Sequence, residues 1–183
     1  MHLYPAGAAD RADIELLLDA AFGPGRHVRT AYRLRGGVAP YRGLSLIARE
    51  HGRLVGSIQY WPCELIVDCV THPLTLLGPV AVAPDLQGTG LGKRLMRASL
   101  EVADACGHDA ILLIGDPAYY GRFGFTADAT ASWAAPGPVE RHRLLARLAP
   151  GVQLPRRGQL QAITQVPGWM RLPMLIREAA LAA

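Results

Sequence analysis

The residues best suited to chemistry lie in one stretch, Leu77 to Met96, which reads L-G-P-V-A-V-A-P-D-L-Q-G-T-G-L-G-K-R-L-M. An apolar run, Val80-Ala81-Val82-Ala83, stops at Pro84 and gives way to a loop carrying Gly88, Gly90 and Gly92. The first amide N–H groups of a helix have no intrahelical partner, so a strand, a glycine-rich turn and a helix start together make an anion site. Glycines let the backbone approach a phosphate and take positive φ where the turn needs it. Lys93, the only lysine in the chain, and Arg94 fall in the first turn of the following helix. Cations there oppose the helix dipole, a penalty of roughly 0.3–1 kcal/mol each at exposed sites. A bound polyanion would reverse it. The charges alone fit a solvated face equally well; the three glycines favour the anion.

Two better-known phosphate loops fit poorly. A P-loop needs Ser or Thr after Gly-Lys to hold magnesium, and Gly92-Lys93 is followed by Arg94. A Rossmann fingerprint needs G-x-G-x-x-G, and in Gly88-Thr89-Gly90-Leu91-Gly92 the last glycine comes one place early. The stretch instead resembles motif A of the Gcn5-related N-acetyltransferases (GNATs), whose loop reads Gln/Arg-x-x-Gly-x-Gly/Ala. The matching residues are Gln87, Gly88, Thr89, Gly90, Leu91 and Gly92. The resemblance implies that this loop, with Lys93, binds the pyrophosphate of coenzyme A. It further implies that Val80, Ala81 and Val82 offer backbone groups to the pantetheine arm, and that acetyl-CoA is the co-substrate.

A second segment, Ala118-Tyr119-Tyr120-Gly121-Arg122-Phe123-Gly124-Phe125, looks like the family's F-Y-x-x-x-G-F, with Tyr120 on its tyrosine. The resemblance makes Tyr120 the candidate catalytic acid. Acyl transfer from a thioester to an amine needs a neutral amine, an oxyanion donor and a proton for the leaving thiolate. Tyrosine, with a reference pKa near 10, stays protonated and can supply that proton. The structural alternative is that Tyr119 or Tyr120 only packs with Phe123 and Phe125. A backbone N–H on the Val80–Val82 strand would suffice for the oxyanion. Glu64 and His72 lie on or near strands expected to border the cleft and Asp116 ends the central strand, but each reads more readily as structural and none is assigned as base. The chain departs from the family where many members carry an asparagine, a position held here by Leu113, and Asp116-Pro117 is expected to interrupt the helix start. The D-P-A-Y-Y-G-R-F-G-F form resembles a bacterial subgroup of predicted acetyltransferases.

These groups must be positioned by an α/β frame. His2 to Tyr4 reads as a short strand, and a helix capped by Asp10 carries the stripe Ile14, Leu17, Leu18 and Ala21. A second helical segment, His27 to Leu34, ends at Gly36-Gly37, and His27, Arg29 and Arg33 on it are candidates to face the acceptor. Leu44–Arg49 and Leu54–Tyr60 read as a hairpin over Glu50–Arg53. Trp61-Pro62 is expected to break or bend the second strand, with Glu64–Val70 continuing it to a turn near Thr71-His72-Pro73. Leu74 to Val82 forms the next strand, and Pro79 within it implies a bulge or an unpaired edge. A helical stripe of Leu91, Leu95, Ala98, Val102 and Cys106 follows. The run Ala110 to Gly115 has the continuous apolar character of a central parallel strand. Further strands are expected over Ala129–Ala134 and Gly158–Ile163, with a short helix over Met174–Leu181; His142–Leu148 fits either a strand or a helical turn and a half, and the resemblance favours the strand.

Bulk properties narrow the class. A chain of 183 residues reads as one domain, with the GNAT core in 1–148 and a C-terminal extension over 149–183. No apolar run is long enough to span a bilayer, and no signal peptide is read at the N-terminus. Cys63, Cys69 and Cys106 form neither a C-x-x-C pair nor a zinc spacing, so no metal is expected and a cytoplasmic setting is. The pI of about 9.3 raises nucleic acid as a partner, but the arginines are scattered and do not interleave with aromatics. The resulting expectation is an α/β GNAT fold, its mixed central sheet split at the cofactor strand with helices on both faces. Its activity is N-acetylation of an unidentified small-molecule or peptide amine, with no nucleic acid and no membrane as partner and a homodimer allowed. The alternative is a non-catalytic acyl-CoA sensor.

Overall fold

The computed structural model describes residues 2–164, so the helix expected over Met174–Leu181 lies outside the described residues. Among the described residues ten strands form two sheets. The first runs β1 (Leu3–Pro5), β2 (Leu46–Glu50), β3 (Arg53–Ile58) and β6 (Ala81–Val82), all antiparallel. The second runs β8 (Ser132–Ala134), β10 (Arg157–Ala162), β4 (Tyr60–Val67), β5 (Val70–Leu77), β7 (Ala110–Ile114) and β9 (Leu144–Leu148). Within it β5 and β7 are parallel, as are β8 and β10.

The two sheets are joined by strands that pass from one to the other. One residue, Gln59, separates β3 from β4, and residues 78–80 separate β5 from β6. Gly78 still donates to the Gln59 carbonyl at 2.9 Å, but the next residue, Pro79, has no N–H to give. After Leu77 the chain therefore leaves β7 and pairs with β3 instead. The interruption expected at Gly78-Pro79 is the split between the sheets.

Proline behaves differently inside β4. Pro62 was expected to break the strand, yet β4 continues through it. The Gly78–Gln59 bond sets the alternation of the β4–β5 ladder, which places Pro62–Thr75 and Glu64–Pro73 at non-hydrogen-bonded pairs. The Pro62 nitrogen then points past Cys63–Ala162, where pairing with β10 stops. No ladder bond is lost, so no break is needed. The β4–β5 turn also lies earlier than expected, at Asp68 and Cys69, both with positive φ (48° and 66°). The β2–β3 hairpin turns where expected, on His51 (φ 49°) and Gly52 (φ 79°), the backbone of a two-residue hairpin loop.

Helix α1 (Arg11–Phe22) buries Ile14, Leu17 and Leu18 and packs on β3 and β6. Asp10 does not cap it: its carboxylate accepts from the Gly7 amide at 2.8 Å and from Arg49, closing a preceding 3-10 turn. The segment expected to be helical over His27–Leu34 is a 3-10 turn, Pro24–Val28, then a single helical turn, α2 (Thr30–Arg33). Helix α3 (Leu91–Ala105) buries Leu91, Leu95, Met96, Ser99, Leu100 and Ala103. Its inner face is thus rotated from the expected stripe, leaving Ala98, Val102 and Cys106 at the margin. Strand β7 feeds both cores, Ile111 and Leu113 on one side and Leu112 on the other, which is why its sequence is apolar throughout.

Gly78 is fixed by packing as well as by the break. A Cβ there would stand 2.2 Å from Cζ3 of Trp61. Gly78→Ala should therefore lower unfolding free energy by about 1–3 kcal/mol, the usual range for overpacking. Urea denaturation checks this, and an unchanged midpoint would show that Trp61 yields freely.

Candidate active site

The β5–β6 crossover and the loop after β6 build the site. Ala83 donates to Val55 at 2.8 Å, which sets the β3–β6 alternation: Ala81 and Ala83 face β3, while the N–H and C=O of Val80 and Val82 point into the split. The loop then turns on itself, with Thr89 donating its amide (3.4 Å) and its hydroxyl (2.7 Å) to the Leu86 carbonyl. Gly90 caps α3 with φ 90°, a conformation that disfavours any side chain. Among the described residues the amides of Gly88, Gly90, Leu91, Gly92 and Lys93 meet no backbone acceptor, and the first intrahelical bond is Arg94 to Gly90 at 3.1 Å. Five N–H groups are thus left at a helix N-terminus, a surface that favours anions.

Two cavities meet here. The smaller, about 360 Å³, is lined by Val80, Val82, Leu86, Gln87, Gly88, Gly90, Leu91, Gly92 and Lys93, with Ala21, Phe22, Tyr119 and Tyr120. The larger, about 910 Å³, lies between the segment Phe22–Arg35, the crossover Leu77–Val80, the end of β7 and the stretch Pro138–Arg143. Phe22, Val80 and Tyr120 line both. One wall of the larger cavity is tied to the opposite one: Thr30 donates to the Pro138 carbonyl at 2.6 Å and Arg33 to the Pro136 carbonyl at 3.1 Å.

Tyr120 stands at this junction. It ends α4 (Pro117–Tyr120), and Asp116-Pro117 does not interrupt that turn as expected but starts it. Asp116 accepts from the Ala118 amide at 2.9 Å, and Pro117 occupies the first helical position, where no N–H is needed. The Tyr120 ring lies over Gly115, where a Cβ would stand 2.2 Å from Cε2. Desolvation pushes the Tyr120 hydroxyl up to about 12. The ring of Tyr119 meets Tyr120 edge-on, and its hydroxyl lies 3.2 Å from where a Cβ on Gly92 would be, over the start of α3.

Of the ten residues expected around the cofactor, eight line the smaller cavity. Ala81 is fully buried against the core, and Thr89 is turned into its own loop. Among the base candidates, Asp116 lines the larger cavity. Glu64 and His72 do not; they sit towards the other end of the β4–β5 hairpin. Of the arginine-rich segment only Arg29 reaches the cavity, since His27 stacks on Tyr32 and Arg33 is spent on the Pro136 carbonyl. Two other arginines in that wall were not singled out from the sequence. Arg26, 1% exposed, bonds Glu15 (2.6 Å), Asp19 (2.8 Å) and the Tyr32 hydroxyl. Arg35, 8% exposed, lies against the rings of Tyr32 and Trp61. The nearest signal in the sequence was Arg35 directly before Gly36-Gly37, which gave no hint of burial.

A sheet split beside a strand, a glycine loop and a free helix start, opening into a second cavity, defines an α/β transferase built to bring an anionic donor against an acceptor. The chain belongs to the GNAT acetyltransferases: the acetyltransferase (GNAT) domain model matches residues 5–127. It is 31% identical over 137 residues to the uncharacterized N-acetyltransferase YjhQ of Escherichia coli K12, covering 74% of this chain and 76% of that one. The uncharacterized N-acetyltransferase YhbS of the same organism is 30% identical over 119 residues, 63% of this chain and 68% of its own. The crystal structure of the Escherichia coli YhbS protein in complex with CoA has the same fold, with a TM-score of 0.70 at 22% identity over 88% and 89% of the chains. A GNAT family acetyltransferase from Brucella melitensis in complex with acetyl-CoA gives 0.63 at 28% identity over 88% and 95%.

The site has a pH signature. With Tyr120 raised to about 12 against a free tyrosine near 10, the unfolded chain loses this proton first. Stability supplied by the neutral phenol is complete below pH 10 and falls as pH rises towards 12. Ultraviolet titration of native protein against Tyr120→Phe should show no missing tyrosinate signal below about pH 11. A lost phase near pH 10 would place the hydroxyl in water.

Proposed function

We propose that the chain transfers an acetyl group directly from acetyl-CoA to an amine, with Tyr120 protonating the leaving sulfur. The observation that carries this reading is the junction: a cavity rimmed by five unpaired loop amides opens, at Phe22, Val80 and Tyr120, into a second cavity of about 910 Å³. A sensor that only bound the acyl donor would need no room for an acceptor.

In this reading the amides of Gly88 and of Gly90 to Lys93 hold the pyrophosphate, and Lys93, exposed at the rim, adds its charge. Val80 and Val82 turn their backbone groups to the pantetheine arm, as an added strand would be held. One of those N–H groups receives the developing oxyanion. The amine enters through the larger cavity, and its nitrogen meets the thioester carbon beside Tyr120. As the C–N bond forms, the C–S bond breaks and the sulfur takes the phenolic proton. A phenol near 12 and a thiol near 8.5 differ by about 3.5 units, so a free tyrosinate would lie roughly 5 kcal/mol uphill. The Tyr120 proton must therefore be replaced in the same step by one from the attacking nitrogen, which becomes acidic as it bonds to carbon. Cys63, Cys69 and Cys106 are free thiols, and we place the enzyme in the cytoplasm on that ground.

Millimolar acetyl-CoA should raise the melting temperature by mass action, and Gly90→Val should abolish the shift through its φ of 90°. An undiminished shift in folded Gly90→Val would remove the loop from the site. Tyr120→Phe should lower kcat about 10²–10⁴-fold with little change in KM for acetyl-CoA, while Tyr119→Phe costs much less. Steady-state thiol release reads both. Full turnover in Tyr120→Phe would end the acid assignment.

A further inference from the structure

We infer that the acceptor amine also carries an oxyanion, a carboxylate or a phosphate, held by Arg35 in the wall of the larger cavity. The inference rests on the acetyl-transfer reading of that cavity. Arg35 is 8% exposed, and its guanidinium carbon lies 3.6 Å from the centroid of the Tyr32 ring and 4.1 Å from that of Trp61. The faces of the cation are thus covered by aromatic rings, which offset part of its lost hydration. Its edge is buried as well, but unpaired: Nε and Nη2 have no hydrogen-bond partner among the described residues. Those two nitrogens share one edge of the guanidinium and present parallel N–H bonds, the spacing of two oxygens on a single oxyanion. A buried cation left this way is expensive unless a ligand completes it.

The neighbouring carboxylates are engaged elsewhere. Glu15 and Asp19 bond Arg26 at 2.6 and 2.8 Å. On the cavity wall, Asp116 accepts from the Ala118 amide and Glu140 lies 3.3 Å from His142. Arg29 and Arg143 line the same cavity and add positive potential. Trp61 abuts Gly78 on the crossover, two residues before Val80, so the anchor sits beside the segment that leads to the junction of the two cavities. An amino acid or an amino phosphate could place its anion on Arg35 and its nitrogen towards the junction.

The test compares matched acceptors at saturating acetyl-CoA: phenylalanine with phenethylamine, histidine with histamine, and O-phosphoethanolamine with ethanolamine. The oxyanion-bearing member should have the higher kcat/KM by about 10- to 100-fold, mostly through KM, as expected for a charge-assisted bond. The first two pairs report a carboxylate and the third a phosphate. Arg35→Met should bring the preferred pair's ratio near one while the acetyl-CoA melting shift persists. Arg35→Lys keeps a cation but loses the parallel N–H pair, so its ratio should also fall even if the methionine variant does not fold. Equal or better use of the neutral members, or a preference that survives both substitutions, overturns the inference and leaves the acetyl-transfer reading standing. If no pair turns over, melting shifts by N-acetylphenylalanine and O-phosphoethanolamine against N-acetylphenethylamine, each with CoA present, decide: a shift by an anion in native protein but not in the Arg35 variants supports it, and equal or absent shifts overturn it. A native protein that acetyl-CoA does not stabilise overturns the acetyl-transfer reading instead.

Discussion

The molecule depends on one missing hydrogen-bond donor. At Pro79 the chain cannot continue the ladder it has made through Leu77, and it moves from the second sheet to the first. That move frees the backbone groups of Val80 and Val82 from any neighbouring strand on one side. It also leaves the last residues of β7 facing open space, and those residues line the larger cavity. The loop, the helix start and Tyr120 then close around a gap that already exists.

Charge is arranged around the gap in two different ways. At the α3 N-terminus it comes from backbone dipoles, with Lys93 and Arg94 exposed at its edge. In the opposite wall it comes from buried guanidinium groups. Burial works against the charge of Arg26, but the hydrogen bonds it donates to Glu15, Tyr32 and Asp19 outweigh it and keep the group protonated. For Arg35 desolvation dominates and lowers its pKa, the mark of a cation whose surroundings do not fully answer it.

What the sequence made legible was local. The glycine loop before α3 and the apolar run of β7 each depend on neighbours within a few residues, so the helix start at Leu91 and the strand Ala110–Ile114 were legible. Errors arose where partners decide. Proline in β4 is harmless only because of the phase of its ladder with β5, and that phase is set by a contact between Gly78 and Gln59. Asp116-Pro117 looks like a break until its carboxylate meets the Ala118 amide. The inner stripe of α3 rotated because β2, β3 and β6 decide which face is covered. Arg35 was invisible for the same reason, since Trp61 reaches it from a separate strand, whereas the partners of Arg26 are near in sequence and only the turn over Pro24–Val28 brings them onto it.

The placing of Lys93 has a consequence for how the protein appears to its own donor. It is the only lysine in the chain; the remaining basic side chains are arginine and histidine. Arginine stays protonated throughout the accessible pH range, so it offers no free electron pair to an activated acyl group. Apart from the α-amino group, the chain therefore presents a single primary amine to an electrophile, exposed at the rim of the smaller cavity. As an amine substrate for its own thioester the protein is nearly blank, and N-acetylation of a lysine side chain can be written only at Lys93.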